Sequence, residues 1–168
     1  MDDRLRTLPM AAGAPLVGRL AAEAVRGAVT VAVVVAAGLA LGFRFDTGPL
    51  EIAGFLVLPV AFGAALGCVM IAVAVRAVAA ETSASALNAL LVALSFFSTG
   101  FVPRESLADR VRPVAAVNPL SSVIEAMRAL AHGGALAGPL TRSLAWTIGL
   151  ATVFGYLAAR GYRRRNLR

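Results

Sequence analysis

The sequence predicts an all-α fold, an integral membrane helical bundle of about four transmembrane helices with an extracellular re-entrant helical pair. Three observations carry that prediction. The 168 residues are 59% hydrophobic and only 15% charged, with mean hydropathy +0.80, far from the balance of a soluble domain. Four uncharged apolar runs are bounded by arginine or by polar turns. Between the third and the fourth lies a stretch, 101–130, too polar to cross a bilayer and too apolar for an ordinary loop. The formal charge of +7 does not make a nucleic-acid face, because the arginines stand at the ends of apolar runs and no soluble surface collects them. All the basic residues are arginine and none is lysine.

Residues 1–26 carry Arg4, Arg6, Arg19 and Arg26, interrupted by Pro9, Gly13 and Pro15, and read as a short helix or turn beside the membrane. The order is acidic and then polar, unlike the basic and then apolar order of a secretory signal, so insertion is expected to rest on the internal spans. From Leu16 a helix can run on, with Arg19, Glu23 and Arg26 on one face at steps of four and three. The first span is the run 27–43, about 25 Å long as a helix, with Arg26 and Arg44 placed to snorkel. Its valines would suit a strand in water, but a lone strand in lipid leaves its backbone unsatisfied, so a helix is expected.

Residues 44–51 form a short polar loop. The second span, 52–75, holds Pro59, where a kink is expected, and a small-xxx-small step at Gly63 and Gly67 suited to close helix approach. Cys68 lies alone in this run, which argues for a small packing residue over a disulfide or a zinc ligand. Residues 76–83 read as a tight loop, and the third span as 84–102. Asn88 within it has two readings: a hydrogen bond between helices or, with Phe96, Phe97 and Ser98, a contact on a substrate path.

The stretch 101–130 reads as two short helices and a break. Ser106 with Asp109, and Ser122 with Glu125, match the capping-box spacing. Pro113 closes the first piece. Asn118 is a good cap, and Pro119 suits a first helical turn, where its missing amide costs nothing. About twelve uncharged residues lie between Arg112 and Glu125, short of the roughly twenty a span needs. With Pro103 at its entry, the segment Asn118, Pro119 and Glu125 therefore reads as an outer gate or re-entrant element, not as a catalytic site. His132, Gly133 and Gly134 read as a helix stop, with His132 a surface residue. The fourth span, 143–159, has Trp146 and Tyr156 near its two ends, where aromatic belts sit.

An even number of spans puts both termini on one side. That side holds ten arginines (Arg4, Arg6, Arg19, Arg26, Arg76, Arg160, Arg163, Arg164, Arg165 and Arg168) and the other six, which places the termini in the cytoplasm and 104–142 outside. The basic tail suits anionic lipid heads. A membrane enzyme would need carboxylate pairs, a histidine or a nucleophile array at bilayer depth. Here the acids lie at span edges or in loops, and neither a catalytic nor a metal-binding set is found.

Two segments carry a family resemblance, RLRTLPMAAGAPLVGRL at 4–20 and FFSTGFVPRESLADRVRPVAAVNPLSSVIEAMRAL at 96–130. Together they resemble the permease subunits of ABC transporters of the second, exporter type, including daunorubicin-resistance-like permeases of actinobacteria. The resemblance implies that residues 1–168 are a partial permease domain, the C-terminal two-thirds, without the first two spans. It also implies that Arg4, Arg6, Thr7, Leu8 and Pro9 form the segment that couples to an ABC ATPase subunit. The implied setting is the inner (plasma) membrane, with a second permease subunit, homo- or heterodimeric, and an amphipathic drug or lipid as cargo. ATP and Mg would act through the partner ATPase, none being bound directly. The chain itself has no lysine for a phosphate-binding loop, which agrees with energy supplied from outside it. The other reading is a non-transporting fragment or membrane assembly subunit.

Overall fold

The computed structural model describes residues 14–76, 80–100 and 117–165, so Arg4, Arg6, Thr7, Leu8, Pro9, Pro103 and the Ser106/Asp109 pair lie outside the described residues. All the described elements are helices: α1 (Ala14–Ala40), α2 (Pro49–Arg76), α3 (Ala80–Phe96), α4 (Pro119–His132) and α5 (Ala137–Arg165). Two segments, Val17–Ala40 and Pro49–Arg76, are both long and apolar enough to cross a bilayer.

The boundaries differ from the expected spans for local reasons. The first apolar run was expected to stay helical to Phe43, but α1 stops at Ala40 because Gly42 takes φ 97°. The Phe43 amide then donates to the Gly38 carbonyl at 2.9 Å and the Gly42 amide to Leu39 at 3.1 Å, the paired bonds of a Schellman cap. Phe43 folds back over Gly38, where an added methyl would meet its Cβ at 3.6 Å. At its other end α1 begins well before residue 27, and Arg26 and Glu23 approach at 3.9 Å on its exposed face. Helix α2 starts at Pro49, ahead of the expected 52, since proline needs no amide partner there and Glu51 suits the positive end of the helix dipole. It continues through Pro59 to Arg76.

The third run was expected to remain helical to 102, but α3 ends at Phe96. The Ser95 hydroxyl donates to the Val92 carbonyl at 2.6 Å and that of Ser98 to Ser95 at 2.7 Å. These short side chains offer the backbone bonds that compete with the helix. Helix α5 contains the expected fourth span and extends beyond it at both ends, with Trp146 and Tyr156 on exposed positions.

Helix α2 is central and packs against all four of the others. One cluster joins Leu58 and Phe62 of α2 to Val123, Ala126 and Leu130 of α4, with Leu150 of α5 against it. A second, nearer the far end of α2, joins Ile71 and Ala72 to Ala158 of α5, flanked by Leu20 of α1. Small residues set the spacing, as expected where helices meet without water to drive them together. A methyl on Gly161 would come within 2.6 Å of Val75, and one on Gly54 within 3.3 Å of Leu130. Of the predicted Gly63 and Gly67 step, Gly67 faces Leu20 of α1 at 3.8 Å, whereas Gly63 meets nothing within 4 Å.

Ala126 is 0% exposed between α2 and α4, so Ala126→Leu should overpack the seam and cost about 1–3 kcal/mol. Gly149→Ala, whose new methyl meets nothing within 4 Å, should not. Thermal unfolding in detergent checks this, with a lowered midpoint for the first variant and an unchanged or raised midpoint for the second.

Candidate functional site

The end of α3 and the start of α4 meet in a seam of small polar side chains. Ser98, Thr99, Asn118, Ser121 and Ser122 are all buried, Thr99 fully, and among the described residues no buried side-chain nitrogen or oxygen lacks a hydrogen-bond partner. That matters because an unpaired polar group away from water costs about 1–3 kcal/mol.

Asn118 is the residue on which the seam turns. Its backbone is extended, with φ −66° and ψ 122°, the conformation of a residue just before a helix. Its side-chain oxygen accepts from the Leu120 amide at 3.0 Å, capping α4, while its amide nitrogen donates to the Leu94 carbonyl of α3 at 2.7 Å. One side chain therefore serves the free amides at the start of α4 and a carbonyl in the last turn of α3. Pro119 follows at the first helical position, where no amide is needed. Thr99 adds a second bridge, its amide donating to the Ser121 hydroxyl at 3.2 Å.

Ser122 and Glu125 do not form the expected capping box. The cap is Asn118, so Ser122 already lies within the helix and its hydroxyl turns back to the Asn118 carbonyl at 3.4 Å. Glu125 instead faces α5, with Oε2 3.8 Å from Arg142 Nη2, and its side chain is 18% exposed. Arg128, one turn further on, donates to the Gly100 carbonyl at 3.2 Å. Polar contacts thus tie α4 to α3, to the turn after it and to α5.

The four residues read as a substrate path separate. Asn88, Phe96 and Phe97 are exposed on α3 and the turn after it, whereas Ser98 lies in the seam. Asn88 has no hydrogen-bond partner among the described residues. His132 is exposed, as expected of a surface residue, but it is paired: Nδ1 lies 2.8 Å from Asp46 Oδ2 in the loop between α1 and α2. No local pattern announces that pair, since its members stand 86 positions apart. Among the described residues no group of three or more His, Cys, Asp or Glu side chains could hold a metal ion.

An apolar bundle around a polar-capped short helix, without a constellation for bond chemistry among the described residues, defines a membrane protein of the permease kind. Residues 1–131 match the ABC-2 type transporter family, and the chain belongs to that family. It is 36% identical over 164 residues to a probable doxorubicin resistance ABC transporter permease protein, DrrC, of Mycobacterium tuberculosis (strain ATCC 25618 / H37Rv), covering 97% of this chain and 59% of that one. To the daunorubicin resistance ABC transporter permease protein DrrB1 of Streptomyces coeruleorubidus it is 34% identical over 164 residues, covering 98% of this chain and 58% of that one. The chain therefore spans about three-fifths of the length of these curated relatives. No solved structure matches it.

Asn118→Ala should remove both the cap and the bridge to Leu94, with a loss of about 2–4 kcal/mol, one part for the cap and one for the buried carbonyl. Asn118→Ser keeps a capping oxygen and loses the bridge, so its denaturation midpoint should fall between those of the parent chain and the alanine variant.

Proposed function

We propose that the chain is transmembrane permease machinery of an ATP-driven ABC exporter, with an amphipathic drug or lipid as cargo. The observation that carries this reading is the family match across residues 1–131, which takes in the N-terminal segment, α1, α2, α3 and most of α4. The two relatives are named for doxorubicin and daunorubicin resistance, which favours a drug as cargo.

In the arrangement we infer, α1, α2, α3 and α5 cross the membrane and α4 is re-entrant. The support is that α4 has 14 residues, about 21 Å, and that it packs beside the first half of α2, with Leu130 against Gly54 near the start and the cluster reaching Phe62. The termini are cytoplasmic in this reading, on the side with ten of the sixteen arginines. Arg4, Arg6, Thr7, Leu8 and Pro9 then dock on the ABC ATPase. Pro9 stiffens the segment, Leu8 supplies an apolar knob and the arginines orient it. ATP and Mg act in that partner, and its closure switches the permease between two packings. Pro103, Asn118, Pro119 and Glu125 belong to the outer gate. The exposed, unpartnered Asn88, with Phe96 and Phe97 nearby, favours protein or a polar path against α3 rather than lipid alone, as a second permease subunit would provide.

A second reading, a non-transporting fragment or assembly subunit, is favoured by the three-fifths coverage of the relatives. Co-expression with the ATPase separates the two. The transport reading expects the chain to co-purify with the ATPase and Leu8→Asp to lose it, with membrane insertion unchanged. Retention of the ATPase by the Leu8 variant removes the coupling role, and absence of any complex with the unaltered chain favours the fragment.

A further inference from the structure

The far end of α4 carries a set of contacts that the seam with α3 does not use. The carbonyls ending a helix need donors from elsewhere, and here they come largely from the loop between α1 and α2. The Asp46 amide donates to Ala131 at 2.9 Å and the Thr47 hydroxyl to Leu130 at 2.5 Å, while the Gly133 amide turns back to Ala129 at 2.9 Å. The turn at Gly42 brings Phe43 to the same place, its ring edge-on to the His132 imidazole at 5.4 Å between centroids. Phe45 and Phe55 complete an aromatic cluster, 5.2 Å apart and nearly perpendicular. At its rim Asp46 Oδ2 and His132 Nδ1 meet at 2.8 Å.

We propose that Asp46 and His132 form an acid-strengthened latch that docks the α1–α2 loop onto the C-terminal end of α4. Imidazole is the side chain whose charge ordinarily changes between about pH 5 and 8. Protonated, it donates a charge-assisted bond to the carboxylate and places a cation at the negative end of the α4 dipole. Neutral, it keeps at most an ordinary hydrogen bond, in one of its two tautomers. The docked loop therefore favours the imidazolium, and the latch weakens as pH rises through the histidine range.

The other charges around the pair are Arg44 on the same loop, Glu51 in the first turn of α2, Arg128 one turn earlier on α4, and Arg142 of α5. Arg142 is engaged by Glu125, and Glu51 lies outside ion-pair range of His132. The two side chains are 52% and 64% exposed, so screening keeps the effect small, about two- to five-fold in the ratio of docked to undocked loop. The latch is a property of the loop. Only its consequence, holding the outer end of a gate, rests on the proposed permease.

His132 is the only histidine of the sequence, so its imidazole resonances can be followed without ambiguity. The full chain in lipid nanodiscs, in a Cys68→Ala background with nitroxides at Leu41 and Ala135, reports the distance from the loop to the turn after α4. On going from pH 5.5 to 8, the docked population should fall about two- to five-fold, with the midpoint of the imidazole titration. Asp46→Asn and His132→Gln should each remove that dependence, while Thr47→Val should loosen the loop at every pH and keep it. A distance independent of pH in the parent chain overturns the latch, as does a pH dependence that survives both substitutions. No transport or ATPase activity enters the measurement, so its failure is separate from failure of the permease reading.

Discussion

In an apolar medium every backbone amide and carbonyl must find its partner within the protein, and in this chain the demand is sharpest at the two ends of α4. A long spanning helix leaves its unpaired groups near the membrane surface, where water serves them. A helix of 14 residues set among others cannot do so at both ends. At the start of α4 the demand is met by Asn118, which caps the helix and reaches back to Leu94, and by Thr99 and Ser121. At the other end it is met by the loop between α1 and α2, through Asp46 and Thr47.

This polar fastening explains why the seams are built of serine, threonine, alanine and glycine. Between helices in lipid the hydrophobic effect supplies no net attraction, so close approach and hydrogen bonds carry the association. Ala126 and Ala158 are fully buried, and Gly54 and Gly161 leave no room for a methyl without movement of Leu130 or Val75. Helix α2 touches every other described helix, so a displacement of α4 along it would be felt by α3 and α5 together. A short helix tied by polar contacts at both ends and by the Glu125–Arg142 pair at its side suits a few discrete positions better than a continuum, which is what a two-state transport machine requires.

Much of this organisation was legible in the residues. The four apolar runs announced helices because no other backbone survives in lipid, Asn118 before Pro119 announced the start of α4, and Gly133 announced its end. The chemistry of the runs did not fix where they stop. Phe43 is as apolar as the span before it, and only the positive φ of Gly42 turns it back. The Ser-Phe-Phe-Ser sequence after Leu94 reads as continuing helix by hydropathy, but its hydroxyls bond backward and end it. Ser122 and Glu125 had the spacing of a capping box, yet the same spacing falls inside a helix when a better cap stands four residues earlier. Asp46 with His132, and Glu125 with Arg142, were out of reach, because such pairs depend on which loop lies over which helix end.

The claim on which the account stands is that both ends of α4 are closed by side chains and loops of this chain and not by water. Hydrogen exchange of the full chain in a bilayer measures that directly, amide by amide. The amides of Leu120 and Thr99 at one end, and of Asp46 at the other, should exchange nearly as slowly as those in the middle of α2. Rapid exchange at all three, with α2 still protected, would contradict it.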